Sequence, residues 1–163
     1  MADNCAENNA EDGDLKKDIE IVEFSIGGCF YGINVADIRE IIRVVDDFIS
    51  VPDTHTSIEG VINLRGNIIP VVHLARHLKM DIDYNSDESR VIVCEYGERI
   101  AGFWVGAVNR IHRMSLSQVE RPSDLVNAQE GYATGLVKID DKVVFLLDFQ
   151  RVADDIIHSY RRS

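Results

Sequence analysis

The stretch Gly60–Leu74 (GVINLRGNIIPVVHL) returns in altered form 75 residues later as Gly135–Phe149 (GLVKIDDKVVFLLDF). Nine of the fifteen aligned positions pair Gly with Gly, or an aliphatic residue with an aliphatic or aromatic one. A fixed offset of this kind is typical of a duplicated structural unit. Two copies are too few for a solenoid or a propeller, so we expect two similar small modules packed together.

The residues upstream of this stretch repeat as well, because Ile21–Val44 aligns with Val91–Met114 at a shift of 70. The matched positions are Gly27 with Gly97, Gly32 with Gly102, Val35 with Val105, Ile38 with Val108, and Ile41 with Ile111. The copies differ mainly in their polar residues; Arg65, for example, is replaced by Asp140. The shared frame therefore predicts the fold, and the differences indicate where function could lie.

Each copy predicts about five short strands with one or two helical turns. Apolar alternation around glycine turns, such as Gly27-Gly28 and Arg65-Gly66, predicts β-hairpins. Five strongly bent strands of this length tend to close into a small barrel, which removes exposed edges. We therefore expect a mainly β fold of two five-stranded barrels, the first over about 19–80 and the second over about 90–150. Whether a strand of one copy is exchanged into the other barrel stays open.

Helices are expected at three places. The turn Pro52-Asp53-Thr54 offers an N-cap and predicts one helical turn over Thr54–Glu59, and a short helix is expected over Leu74–Met80. Apolar residues spaced at i, i+3 and i+4 predict a closing helix over about 149–160. Residues 1–18 are acidic and poor in bulky apolar groups, which predicts a disordered terminus and a single domain over 19–160.

Composition limits the class of protein. The net charge of −11 over 163 residues, with no basic stripe, argues against nucleic-acid binding. Three cysteines without CxxC spacing suggest neither a disulfide framework nor a zinc ribbon. No run is long enough for a membrane helix, no signal peptide begins the chain, and no glycine-rich phosphate loop is present. We expect a cytosolic protein without a cofactor.

His73 and His77 form the nearest approach to a catalytic or metal motif. They lie at i and i+4 near the start of a predicted helix, but a zinc site needs a third protein ligand. Asp148 occupies the position equivalent to His73 in the second copy. A surface pair is the commoner explanation, so no metal site is predicted. A metal-dependent enzyme using both histidines stays as an alternative outside the favoured class.

Arg65 has two interpretations. It lies in a predicted hairpin turn where burial is difficult to arrange, which is the common situation of a solvated arginine. Its planar guanidinium also makes bidentate contacts and is enriched at interaction hot spots. The second interpretation makes Arg65 an anchor for a protein partner.

Four segments together resemble the CheW family of bacterial chemotaxis: Phe24–Gly27 (FSIG), Tyr31–Val35 (YGINV), Ile38–Ile41 (IREI) and above all Gly60–Val72 (GVINLRGNIIPVV). The similarity covers nearly the whole chain after residue 18. The resemblance implies two five-stranded SH3/OB-like barrels around a shared core. It also implies a non-catalytic adaptor that couples transmembrane chemoreceptors to the histidine kinase CheA, with membrane contact only through the receptors.

The resemblance also implies positions for both partners. The residues carried over to the border of the groove for the receptor's cytoplasmic hairpin tip are Val35, Ile38, Glu40 and Ile41. Arg65 is the polar residue most strongly tied to receptor coupling. The regulatory domain of the kinase has the same fold, and its contact is expected in the second barrel between Arg90 and Leu125, without assignment to single residues.

A second form of the family stays open. The run Leu147–Ile156 (LDFQRVADDI) is similar to the junction in CheV-type proteins, in which a phosphorylatable receiver domain follows the coupling module. The chain is therefore expected to be either a free-standing adaptor or the N-terminal module of a CheV-type protein.

Overall fold

The computed structural model describes residues 17–44, 48–52, 54–84, 87–121 and 132–162. Disorder was predicted for residues 1–18, of which residues 1–16 lie outside the described residues. Asp18 instead begins the first strand, and the carbonyl of Lys17 accepts a hydrogen bond from Leu116 N at 2.8 Å. The ordered fold thus starts slightly earlier than predicted.

The described residues form ten strands and two α-helices. The strands are β1 (Asp18–Ile26), β2 (Cys29–Asn34), β3 (Ile38–Arg43), β4 (Ile58–Leu64), β5 (Asn67–His73), β6 (Arg90–Tyr96), β7 (Arg99–Val105), β8 (Ala107–Ser115), β9 (Ala133–Ile139) and β10 (Lys142–Leu147). The helices are α1 (Leu74–His77) and α2 (Phe149–Arg162), and short 3-10 turns cover Val35–Asp37 and Leu116–Gln118.

Two-residue turns fix the hairpins as predicted. Gly27 and Gly28 have φ of 56° and 88°, and Arg65 and Gly66 have φ of 54° and 86°. Two successive positive φ values define the turn type whose twist matches that of the flanking strands. The Asn63 side chain supports the second turn by accepting a hydrogen bond from Gly66 N at 3.0 Å.

The strands pair into two five-stranded sheets. Sheet A has the order β8-β1-β2-β10-β9, and sheet B has the order β3-β6-β7-β5-β4. The two orders are equivalent under the duplication, in which β1 to β5 correspond to β6 to β10. Each strand of sheet A has its duplicate at the same place in sheet B. Each sheet therefore combines the first hairpin of one copy with the last three strands of the other.

The predicted division into barrels over 19–80 and 90–150 is wrong. It assumed that neighbours in sequence pair within one barrel, as antiparallel hairpins do. In fact β2 pairs in parallel with β10, and β5 pairs in parallel with β7. A parallel pair cannot be joined by a tight turn, so it brings together distant parts of the chain. The strand exchange left open by the sequence is present in both directions.

Three apolar clusters hold the sheets together. One cluster lines sheet A and includes Ile21, Met114, Val137 and Val144. Another lines sheet B and includes Ile62, Ile69, Val71, Val91 and Val93. The largest lies between the sheets, where it receives side chains from both of them and from α1 and α2. Strands β1 and β6 each contribute side chains to the central cluster and to the cluster that lines their own sheet. Both strands are therefore buried on both faces.

The helical predictions are partly correct. The expected turn over Thr54–Glu59 is not helical, because β4 begins at Ile58. Its place is taken by a local turn in which Ser57 N donates to His55 Nδ1 at 3.0 Å, a side-chain interaction that competes with helix formation. Helix α1 is shorter than expected and is followed at Lys79 by a left-handed residue (φ 61°). Helix α2 begins at Phe149 as predicted.

Candidate functional site

The residues expected to face a receptor lie at two edges of sheet B. Glu40 and Ile41 belong to β3, which forms one edge. Arg65 occupies the turn between β4 and β5, and β4 forms the opposite edge. These residues are remote along the hydrogen-bonded order of the sheet, so contact between them requires the sheet to curl.

The guanidinium of Arg65 makes that contact. Its two terminal nitrogens lie 3.3 and 3.2 Å from the two carboxylate oxygens of Glu40. Two parallel contacts of this kind fix orientation better than a single ion pair does. The Arg65 side chain is 73% exposed and the Glu40 side chain 20% exposed. The pair therefore joins the two edges of sheet B and presents a guanidinium to solvent.

The apolar candidates divide between core and surface. Val35 and Ile38 are partly buried against the central cluster. The register of β3 shifts between Ile38 and Glu40, and beyond it Ile42 packs into the cluster of sheet B. Ile41, which directly precedes this inward-facing residue, is 38% exposed. Ile41 and the Glu40–Arg65 pair together form what we call the coupling edge.

The backbone of Arg65 indicates that its side chain is not required for the turn. A left-handed residue is normally Gly, Asn or Asp, because other side chains are disfavoured there. The duplicated turn of sheet A follows this preference, with Asp140 at φ 48° and Asp141 at φ 66°. Turn geometry therefore does not explain why this position holds arginine.

The expected kinase region is only partly described. Leu125 falls in residues 122–131, which lie outside the described residues. Residues 90–121 supply β6 and β7 to sheet B and β8 to sheet A. The expectation that this region belongs to one barrel is therefore corrected by the same strand exchange.

His73 and His77 are buried, which makes the interpretation as a surface pair wrong. His73 Nδ1 accepts a hydrogen bond from Arg76 N at 3.1 Å and caps α1. Its ring stacks on Tyr84 with centroids 4.5 Å apart and meets the edge of Trp104 at 5.1 Å. Burial above all, then the nearby Arg76 charge, lowers the pKa of His73. This imidazole works as a cap and a packing group.

His77 belongs to a separate polar chain. Its Nδ1 lies 2.8 Å from Ser57 Oγ, and its Nε2 lies 2.9 Å from the hydroxyl of Tyr132. The same hydroxyl donates to the carboxylate of Asp155 on α2. Both ring nitrogens of His77 thus have protein partners. The chain of contacts ties the start of β4 to α1, to the residue before β9 and to α2.

Sequence reasoning missed a buried ionic cluster in sheet A. Glu23 is fully buried, and its carboxylate receives contacts from Asn109 at 2.7 Å, His112 at 2.9 Å and Lys142 at 3.0 Å. Burial raises the pKa of Glu23, but the hydrogen bonds from these partners outweigh it, so the net pKa is lowered. The sequence did contain a signal for this cluster, because Glu23 stands at the position where the second copy has the apolar Val93.

The described residues hold no group of three or more His, Cys, Asp or Glu side chains placed to bind a metal ion. Among the cysteines, Cys29 is exposed, whereas burial raises the pKa of Cys94 to about 12 and keeps its thiol protonated. Within the same part of the chain, no helix is long and apolar enough to cross a membrane.

These features define a class of protein: a mainly β protein of two five-stranded sheets whose candidate site is the exposed coupling edge of sheet B. The chain belongs to the family of the CheW-like domain, whose family model matches residues 20–156. The resemblance stated from the sequence is thereby confirmed, as is the prediction of a mainly β fold with two five-stranded units and a C-terminal helix.

Individual proteins show the same similarity. The chemotaxis protein CheW of Thermotoga maritima is 33% identical, covering 88% of this chain and 93% of its own length. The chemotaxis protein CheV3 of Helicobacter pylori is 34% identical over 93% of this chain, but this chain spans only 52% of that protein. The crystal structure of the scaffolding protein TtCheW from Thermoanaerobacter tengcongensis superposes with a TM-score of 0.75 at 31% identity, covering 81% of this chain and 85% of that one.

Proposed function

We propose that this protein is a non-catalytic chemotaxis adaptor that couples the cytoplasmic tip of transmembrane chemoreceptors to the regulatory domain of a CheA-type histidine kinase. Its membership of the CheW-like family supports the adaptor role. The observation that carries the receptor contact is the coupling edge, where Glu40 orients an exposed guanidinium and the next residue of β3, Ile41, is an exposed apolar side chain. Val35 and Ile38 border the same contact.

The physical basis is a helix laid in an apolar groove. Aliphatic side chains supply affinity in such contacts, and a charged residue at the rim fixes register. The duplication supplies two sheets with the same backbone and different polar residues, so one adaptor has two distinct faces. Linked binding to both faces makes the affinity for one partner depend on the other.

A second candidate within the family is the N-terminal coupling module of a CheV-type protein. The similarity to CheV3 favours it, since that match covers 93% of this chain and about half of the relative. In this alternative the receptor contact is unchanged, and a receiver domain elsewhere in the protein regulates it. Phosphorylation of the full-length gene product by the kinase would distinguish the two forms.

The test is reconstitution from purified parts. A receptor cytoplasmic fragment and a CheA-type kinase from the same organism are mixed with and without this protein, and kinase sedimenting with the receptor is measured. We expect the protein to bridge the two and to increase receptor-dependent autophosphorylation. Equal sedimentation and equal kinase activity with and without the protein would contradict the proposal.

A further inference from the structure

Sheet A contains an open cavity of about 460 Å³ between β2, β10, the first turn of α2 and the 3-10 turn at Leu116–Gln118. Its walls combine aliphatic side chains, among them Ile19, Leu116 and Val119, with two carboxylates, Asp37 and Asp148. Leu116 is 42% exposed, so part of this apolar lining faces solvent.

The duplicated place in sheet B is filled by the chain itself. His73 pairs with Trp104 across β5 and β7, and the duplicates of these two residues are Asp148 and Asn34. In sheet B the edge of the Trp104 ring meets His73 at 5.1 Å, and Tyr84 stacks on the same imidazole while also contacting Trp104, with ring centroids 5.1 Å apart. In sheet A the smaller Asn34 lines an open cavity instead. The same backbone is thus closed by flat rings in one sheet and left open in the other.

The electrostatics of the cavity favour a cation. In the described part of the chain, neither Asp37 nor Asp148 has a lysine, arginine or histidine within ion-pair distance. Asp148 accepts a hydrogen bond from Arg151 N at 3.2 Å, which accounts for one oxygen as a helix cap. Burial first, and the Asp148 charge second, raise the pKa of Asp37. Two like charges in a partly desolvated site destabilise each other, and a bound cation would relieve this repulsion.

The cavity is continuous with the expected receptor contact. An adjoining cavity of about 560 Å³ shares the lining residues Ile19, Asn34 and Leu116 and extends to Val35. Val35 is one of the residues proposed to border the receptor groove. A segment lying against Val35 is therefore next to the cavity that contains the two carboxylates.

We propose that this cavity receives an arginine side chain from the receptor's cytoplasmic tip, with its guanidinium between Asp37 and Asp148. This inference rests on the proposed adaptor function and adds a second polar contact to it. Arginine fits better than lysine because its flat group stacks against apolar walls and donates to two carboxylates at once. The planar rings that fill the duplicated place in sheet B have the same shape.

The test compares Asp37→Asn with Asp141→Asn, which removes one charge at the opposite end of β10 from Asp148. The dissociation constant of a purified receptor cytoplasmic fragment is measured at several salt concentrations, together with the unfolding midpoint of each variant. Losing a charged hydrogen-bond partner typically weakens binding roughly tenfold. We expect that loss and a smaller salt dependence for Asp37→Asn, with an unfolding midpoint unchanged or higher because a like-charge pair is removed. Asp141→Asn should behave as the unmodified protein does.

A second variant, Asn34→Trp, introduces the residue that fills the duplicated cavity. We expect it to weaken binding of the receptor fragment while leaving the kinase regulatory domain bound, provided that its unfolding midpoint shows a folded protein. Unchanged receptor affinity and salt dependence for Asp37→Asn would overturn this inference but not the proposed adaptor function. A lower unfolding midpoint accompanying its weaker binding would assign Asp37 a structural role and overturn the inference too. Failure of the unmodified protein to bind the receptor fragment would overturn the adaptor proposal, and this inference with it.

Discussion

Glu40 and Arg65 connect the two opposite edges of sheet B, and their duplicated positions in sheet A carry the reverse charges. The carboxylate and the guanidinium face each other through two contacts of 3.2 and 3.3 Å. Adding the offsets of 70 and 75 residues gives Arg110 and Asp140. The strand register also shifts at matching places in the two sheets. In sheet B the shift lies in β3 between Ile38 and Glu40, and in sheet A it lies in the duplicate of β3, strand β8, opposite Glu23 and Phe24. One backbone therefore presents two electrostatically different faces.

Replacing Arg65 by Asn is expected to separate function from stability. Asparagine suits a left-handed turn residue, which offsets the loss of an exposed ion pair that contributes only about 0.2–1 kcal/mol. We expect the free energy of unfolding to stay within about 0.5 kcal/mol while receptor binding weakens. Asp140→Asn, at the equivalent turn of sheet A, is the matched control in urea titrations and binding assays. Undiminished receptor binding by Arg65→Asn would return Arg65 to the status of a solvated turn residue.

His73 predicts a pH dependence of stability. Its pKa is lowered in the folded state, whereas an unfolded histidine titrates near about 6.5. The unfolded chain therefore binds a proton first, and stability falls as the pH drops below about 6.5 towards the lower folded pKa. Urea midpoints at pH 7.5 and 5.5 measure this, and the fluorescence of Trp104, the single tryptophan, provides a local probe.

The control for that titration is His73→Asn. Asparagine is a good helix cap, so it preserves an acceptor for Arg76 N while removing the titrating ring. We expect a smaller difference between the two pH values in this variant. An identical difference would show that other groups cause the pH dependence.

Tyr132→Phe tests the polar chain through His77. The substitution keeps the ring and removes the hydroxyl that contacts both His77 Nε2 and Asp155. A typical intramolecular hydrogen bond contributes about 0.5–1.5 kcal/mol, so the free energy of unfolding should fall by that amount. A loss below about 0.5 kcal/mol in denaturant titrations would show that the Tyr132 hydroxyl does not stabilise the fold.

The buried Glu23 predicts an asymmetry between single and double substitutions. Glu23→Gln leaves Lys142 without its charge partner and should cost about 1–3 kcal/mol. Glu23→Val, which copies Val93 of the other sheet, combined with Lys142→Met should cost less than the two single changes together, because no unpaired charge remains. Additive losses in thermal or urea unfolding would contradict this coupling.

The same carboxylate gives an acid limit. Because the folded pKa of Glu23 is lowered, its contribution to stability is complete above the unfolded value near 4.3 and is lost as the pH falls through the lower folded value. Glu23→Gln should flatten that part of the stability profile.

The hairpins were predictable because their cause is local. Glycine and aspartate at turn positions set positive φ values, and apolar alternation sets which side chains face inward. The pairing of β2 with β10 is not local, and two copies with the same pattern do not indicate which hairpin joins which. Glu23 and Lys142 meet across 119 residues for the same reason. Arg65 could be singled out from the sequence because the duplication places a different charge on a shared backbone. Its ion pair with Glu40 could not be predicted, because that contact depends on the curl of sheet B.

The most direct test of the coupling edge is the amount of kinase that sediments with a receptor cytoplasmic fragment in the presence of Arg65→Glu. This change places two carboxylates against each other and removes the exposed guanidinium. We predict that the variant still binds the isolated kinase regulatory domain but no longer bridges it to the receptor, while Asp140→Arg at the equivalent turn bridges normally. Bridging by Arg65→Glu at the level of the unmodified protein would contradict the account.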